Sequence, residues 1–157
     1  MCIRDSTRHG EDVSHIPAGW LAGGRALVIT DEDSDHLWLG SLDLEAGKID
    51  PIDRPEWDVE LAASSANGRT QIWSVNEDGY STLRWRTGRG QIKERRLDGG
   101  ACEDLIISAD GSRAAFTRLS PTEPWGVWTL DTATGEARIA LTSVSYTHLT
   151  LPTIYSV

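Results

Sequence analysis

The chain has 157 residues and carries 24 Asp and Glu against 15 Lys and Arg, a formal net charge of −9. That balance argues against a general binder of nucleic acid or of anionic membrane, since either calls for a basic patch. Hydrophobic residues make up 39% and no run approaches the roughly 20 apolar residues of a membrane helix, while seven Trp stand against one Phe and one Met, side chains wide enough to fill the space between stacked sheets.

The two ends, Met1–Ser6 and Val144–Val157, look like translated sequencing-adapter read-through, a contamination that recurs at the ends of predicted metagenomic proteins. The alternative for the tail is a terminal β strand, because it is rich in Thr, Leu, Tyr and Val. Both ends are set aside from fold reasoning as non-native scars, so the Met1 start is no guide to targeting.

Between them, residues 7–143, three tight turns open β-rich units of nearly equal length. They stand at Gly23-Gly24, Asn67-Gly68 and Asp110-Gly111, 44 and then 43 residues apart, a period in the range of a four-stranded propeller blade. A second glycine, at Gly47, Gly90 and Gly135, turns the chain before the last strand of each unit. The units close on Ile52-Asp53, Leu97-Asp98 and Leu141-Thr142. The expected blades are 17–53, 57–98 and 101–142.

Within each unit the strands follow from alternation and turn chemistry. A segment before the first turn supplies the first strand, with Leu61 to Ser65 and Leu105 to Ser108 in the later units. Second strands run Ala26 to Thr30, Thr70 to Val75 and Arg113 to Arg118, and third strands His36 to Leu42, Thr82 to Arg86 and Gly126 to Leu130. Fourth strands run Lys48 to Ile52, Ile92 to Leu97 and Ala137 to Leu141. Asn-Gly and Asp-Gly accept positive φ at little cost, which suits the primed turns of two-residue hairpins. Gln71, Trp73 and Val75 alternating with Ile72 and Ser74 is the period-2 signal of a strand covered unequally on its two faces. No stretch of a dozen residues carries a helical stripe. The expected fold is all-β, a partial β-propeller of about three blades, too few to close a ring when propellers typically have about four to eight. Two open flanks would then expose Trp-rich apolar surface.

Motifs for chemistry are absent or fail at diagnostic positions, so no catalytic, cofactor-binding or metal-binding residue is assigned and no cofactor is expected. A nucleophile elbow needs Gly-x-Ser-x-Gly on a strand-to-helix turn; Gly79-Tyr80-Ser81-Thr82-Leu83 lacks the second Gly and joins two strands. No phosphate loop or His-Glu-x-x-His helix is present. Asp31, Asp33 and Asp35 have the spacing that begins a calcium loop, but His36 stands where Gly is required and Leu42 where a bidentate Glu is needed. A solvated hairpin connection is the simpler reading, and Glu77-Asp78-Gly79 holds the equivalent loop of the next unit. Without Cys2, Cys102 has no disulfide partner and no ligand at metal spacing, which makes it a packed thiol; the compartment is not assigned, with the cytoplasm favoured. His9, His15, His36 and His148 are too scattered for a local ligand pair.

Several runs stand out in the second and third units: Trp57-Asp58-Val59-Glu60, Ser65-Ala66-Asn67-Gly68-Arg69 and Val75-Asn76-Glu77-Asp78-Gly79-Tyr80-Ser81. The next unit adds Ser108-Ala109-Asp110-Gly111-Ser112, Ser120-Pro121-Thr122-Glu123-Pro124 and Val127-Trp128-Thr129-Leu130-Asp131 through Gly135-Glu136. Together they resemble the propeller of prolyl oligopeptidase family serine peptidases, in the acylaminoacyl-peptidase and dipeptidyl-peptidase-like branch. The likeness spans about residues 17 to 143, and its blades resemble the last before the junction with an α/β-hydrolase domain. It implies a covalently linked hydrolase domain outside this chain, short peptides as the parent's substrates, and a Ser, Asp, His triad located there. The propeller would then be a noncatalytic cap gating access. The alternative is a TolB-like or WD40-type interaction propeller; Trp57-Asp58 lies before a first strand, where a WD40 repeat places its dipeptide late in the blade.

Overall fold

The computed structural model describes residues 13–143, and the expectations for the two chain ends, with His9 and His148, lie outside them. Twelve strands form three four-stranded antiparallel sheets, each a meander in chain order. Sheet I holds β1 (His15–Trp20), β2 (Ala26–Thr30), β3 (Trp38–Asp43) and β4 (Lys48–Asp53). Sheet II holds β5 (Val59–Ser64), β6 (Thr70–Glu77), β7 (Tyr80–Thr87) and β8 (Lys93–Arg96). Sheet III holds β9 (Ala101–Ile107), β10 (Arg113–Leu119), β11 (Gly126–Asp131) and β12 (Ala137–Thr142).

The sheets stack face to face, with the first strands β1, β5 and β9 side by side on one edge of the stack. Between sheets I and II, Leu27, Ile29 and Leu39 meet Val59, Trp73 and Val75. Between sheets II and III, Ile72, Leu83 and Trp85 meet Cys102, Leu105, Ala114, Phe116 and Leu130. The middle sheet therefore serves two cores, and every residue of β6 from Thr70 to Val75 is buried. The unequal covering expected from its alternation is corrected: Trp73 and Val75 fill one core, Ile72 on the opposite pleat fills the other, and both faces are shut.

Turn geometry explains the repeat and revises one detail of it. Only Gly68 and Gly111 of the Asn67-Gly68 and Asp110-Gly111 pairs take positive φ, +65° and +76°. Gly68 N–H donates to Ser65 C=O at 2.8 Å and Gly111 N–H to Ser108 C=O at 2.9 Å, so each is a four-residue turn closed by a left-handed glycine, not a primed two-residue hairpin. The side chains lock it. Ser65 Oγ donates to Asn67 Oδ1 and accepts from Thr70 N–H; Ser108 Oγ donates to Asp110 Oδ1 and accepts from Arg113 N–H. Both glycines also face the turn of the preceding sheet, Gly68 against Leu21 and Ala22 and Gly111 against Thr70, where a Cβ would collide. Ala22 N–H donates to Gly68 C=O and Ala66 N–H to Ala109 C=O, stitching the three turns together.

The primed turn occurs instead at Asp78-Gly79, where both residues have positive φ (+55° and +83°) and Glu77 pairs directly with Tyr80. Gly47 and Gly135 are left-handed, as expected of the last turn, but in sheet II that role belongs to Gly88 and not to Gly90. The closing bond differs. Gly47 and Gly135 N–H donate four residues back to Asp43 and Asp131 C=O, whose side chains each accept two further backbone N–H groups, whereas Gly90 N–H donates three residues back to Thr87 C=O.

Candidate functional site

The residues weighed for chemistry in the sequence serve the fold. Ser81 is buried and its Oγ accepts Cys102 N–H at 2.8 Å, which ties β7 to the start of sheet III. The Cys102 thiol is buried in the core between sheets II and III, and burial, reinforced by Glu60, Asp104 and Glu103, pushes its pKa up to about 12. A thiol held neutral in this way is a poor nucleophile. Asp31 binds the chain's entry into β1 by accepting Ser14 N–H at 2.7 Å, while Asp33 sits in the left-handed region at φ +53°. Among the described residues no three His, Cys, Asp or Glu converge as a metal site.

His15 and His36 lie apart in role as well as in sequence. His15 Nδ1 is 2.9 Å from Thr30 Oγ1, and His36 Nδ1 is 3.6 Å from Asp58 Oδ1 on the exposed rim. Asp58 is a clip between sheets: its Oδ1 accepts Leu37 N–H at 2.8 Å and its carbonyl accepts Asn76 N–H at 2.9 Å. Asp58, directly before β5, thus works as an entry clasp.

A cleft of about 470 Å³ lies between sheets I and II, at the end of the stack that carries the first and last turns of each sheet. Arg25, Arg69, Arg86 and Arg89 line it, with Asp50 as the one acidic lining residue. Arg25 leads into β2 directly after the first turn; Arg69 holds the same place in sheet II, and Arg86 and Arg89 flank the last turn of that sheet. Arg25 Nη2 donates to Ser41 C=O and to Asp50 Oδ2, both at 2.7 Å, and Lys48 Nζ reaches Asp50 Oδ1 at 3.2 Å. Two cations hold the Asp50 carboxyl below its ordinary pKa, chiefly by the Arg25 hydrogen bond. The Arg25 Nε is buried and has no hydrogen-bond partner.

Arg86 is held from behind. Its Nε donates to Gln71 Oε1 at 3.0 Å, and Gln71 Nε2 in turn donates to Gly68 C=O at 2.8 Å, so the first turn of sheet II fixes the guanidinium. Burial lowers the Arg86 pKa, and the neighbouring charge of Arg89 lowers it further. Neither Arg69, Arg86 nor Arg89 has a carboxylate within ion-pair distance among the described residues. The sequence reading missed this cleft because its members are spread from position 25 to 89. A signal was present: Arg follows the first-turn glycine at Gly24-Arg25 and Gly68-Arg69, and Arg86-Thr87-Gly88-Arg89 is a basic run in an acidic chain.

The corresponding place between sheets II and III is filled. There the last turn of sheet III packs on Trp85, with Gly135 against the indole ring. Carbonyls of Thr132, Ala133 and Gly135 accept from Trp85 Nε1, Lys93 Nζ and Arg95 Nη1. Sheet I offers Ser41 and Asp50 where sheet II offers an indole, and the gap stays open.

No family model and no curated protein sequence matches the chain. Solved structures do. It is similar to puromycin hydrolase, with a TM-score of 0.70 and 23% identity over 87% of this chain and 22% of that one. It is similar to a structure from a study of two prolyl endopeptidases, with a TM-score of 0.67 and 19% identity over 83% of this chain and 20% of that one. It is also similar to TolB from Acinetobacter baumannii, with a TM-score of 0.64 and 18% identity over 83% of this chain and 33% of that one. The chain spans a third or less of each of these proteins. Together with three antiparallel four-stranded sheets stacked on shared cores, these likenesses make the fold that of a β-propeller, of which the described residues form three blades.

Proposed function

We propose that this chain is the noncatalytic propeller portion of a serine oligopeptidase or aminopeptidase, with residues 17–53, 57–98 and 101–142 as its blades and the adapter-like ends foreign to it. In the parent, a covalently linked α/β-hydrolase domain carries the triad, and the propeller limits entry to short peptides. The observation that carries this reading is structural likeness to puromycin hydrolase and prolyl endopeptidase chains, of which this chain covers about a fifth, joined to the resemblance of its Asn-Glu-Asp-Gly-Tyr-Ser and Ser-Pro-Thr-Glu-Pro loops. Both loops are built as connections that project from the blades. Asp78-Gly79 forms the β6–β7 hairpin tip, and the 120–124 loop is anchored by the Arg118 to Glu123 ion pair at 2.6 Å.

A second reading has its own support. The TolB likeness fits a propeller whose only work is to bind other proteins. Extending the gene's reading frame past residue 143 on uncontaminated sequence separates the two. The peptidase reading expects a Gly-x-Ser-x-Gly elbow followed by Asp and then His; a further run of blades up to the stop codon would refute it in favour of the interaction module.

A further inference from the structure

We propose that the cleft between sheets I and II is a binding site for a multivalent oxyanion, a phosphate-bearing or polycarboxylate small molecule held by Arg69, Arg86 and Arg89 with Arg25 at its floor. The proposal goes beyond the peptidase reading and does not depend on it. Three observations converge.

The first is charge against background. A chain of formal charge −9 concentrates four arginines around one opening, and their one acidic neighbour in the lining, Asp50, is already shared between Arg25 and Lys48. Guanidinium groups cannot shed their protons in this range, so Arg86 and Arg89 repel one another, a cost that Asp53 offsets only in part. A bound anion relieves it.

The second is preorganisation. Arg86 is fixed by Gln71, which is fixed by the carbonyl of Gly68, and Gly88 N–H donates to Arg69 C=O at 2.6 Å, locking the last turn of sheet II to the first. The backbone from which three of the four arginines project is thus tied into one unit. Rigid placement lowers the ordering cost of binding, and the planar fork of each guanidinium suits oxygen pairs on phosphate or carboxylate groups. Guanidiniums arriving from both sheets suit an anion with oxygens on several sides.

The third is the contrast between the two inter-sheet gaps. At the gap between sheets II and III, the same level of the stack is closed by Trp85 and three accepting carbonyls. At the gap between sheets I and II it is open, about 470 Å³, and leaves Arg25 Nε buried without a partner. That volume exceeds a single inorganic phosphate and suits a small organic anion or a diphosphate.

Calorimetric titration of the full chain with sodium pyrophosphate and, separately, with citrate in low-salt buffer tests this. The expected result is one saturable site for at least one of the two, weakened by added salt because exposed charges are screened. Whichever anion binds more tightly identifies the phosphate or the carboxylate class. Arg69→Gln and Arg89→Gln, both exposed positions outside the cores, should each weaken binding roughly tenfold, the worth of a charged hydrogen bond. Asp50→Asn should tighten it, because it removes the competing carboxylate and frees Arg25; a general loss of structure could only weaken binding. No saturable heat with either anion, or equal affinity across the three variants, would overturn the proposal.

Discussion

Asp110 shows how much one side chain does in this repeat. Its Oδ1 accepts from Ser108 Oγ at 2.6 Å and from Ser112 N–H at 3.0 Å, and Ser112 Oγ adds a further bond. These bonds, the Ser108 hydroxyl first, lower its pKa to about 2. Asp43 and Asp131 are lowered by backbone N–H groups of their own turns. The folded pKa lies below the unfolded value of about 3.9, so the stabilisation is fully present above that value and is lost as pH falls through about 4 towards about 2. Carboxyl titration by NMR should show Asp110 as an outlier near pH 2, and an ordinary aspartate titration there would contradict the turn geometry. Some of this was legible in sequence. Ser-x-Asn-Gly and Ser-x-Asp-Gly marked the turns, but composition gave no means of telling a left-handed closing glycine from a primed pair, because Asn and Asp tolerate both.

At the scale of strands and sheets, stability comes from the two inter-sheet cores. Trp73 and Trp85 point to opposite sides of sheet II, and each indole N–H is satisfied, by Asp53 Oδ2 at 2.8 Å and by Thr132 C=O at 2.9 Å. Arg84 reinforces the first tie, its Nη1 lying 3.1 Å from the same Asp53 oxygen. Trp85→Ala should cost about 3–5 kcal/mol, through a cavity and the loss of the indole bond to Thr132 C=O, which keeps only Lys93 Nζ at 3.4 Å; Trp125→Ala, 63% exposed, should change stability by less than about 0.5 kcal/mol. Urea unfolding midpoints measure both, and comparable losses at the two positions would refute the assignment of the core. The strand positions followed from glycine spacing and alternation, since a four-stranded meander leaves little freedom once its turns are fixed. Which faces were covered did not follow, because β6 alternates between two cores and both alternating sets are apolar enough to be buried. The arginine cleft was hidden for a similar reason: it exists only when Arg25 of one sheet meets Arg86 and Arg89 of the next.

For the molecule as a whole, the outer face of sheet III is an open apolar flank among the described residues. Ile106 pairs with Ala115, Thr117 with Val127, and Val127 with Leu141, which places these residues on the face opposite Ala114, Phe116 and Leu130. Ile106 and Leu141 are 65% and 67% exposed. Each preceding sheet buries the corresponding face on its successor, so this one is the surface on which a next blade would pack. Exposed apolar β surface of this kind drives self-association. The chain should therefore aggregate in a concentration-dependent way, and the double change Ile106→Lys and Leu141→Lys should raise the monomer fraction in size-exclusion chromatography while leaving the melting temperature nearly unchanged. A monodisperse wild-type chain would contradict that expectation.

The proposed division of labour, a propeller without chemistry serving a hydrolase domain elsewhere in the parent, is tested most directly by hydrolysis of chromogenic aminoacyl and short peptidyl substrates. The measurement compares this chain with the full-length parent, each with and without a serine-directed fluorophosphonate. No turnover by the chain alone and fluorophosphonate-sensitive turnover by the parent are expected. Hydrolysis by the isolated chain, or a parent that neither turns over peptides nor reacts with the fluorophosphonate, would contradict it.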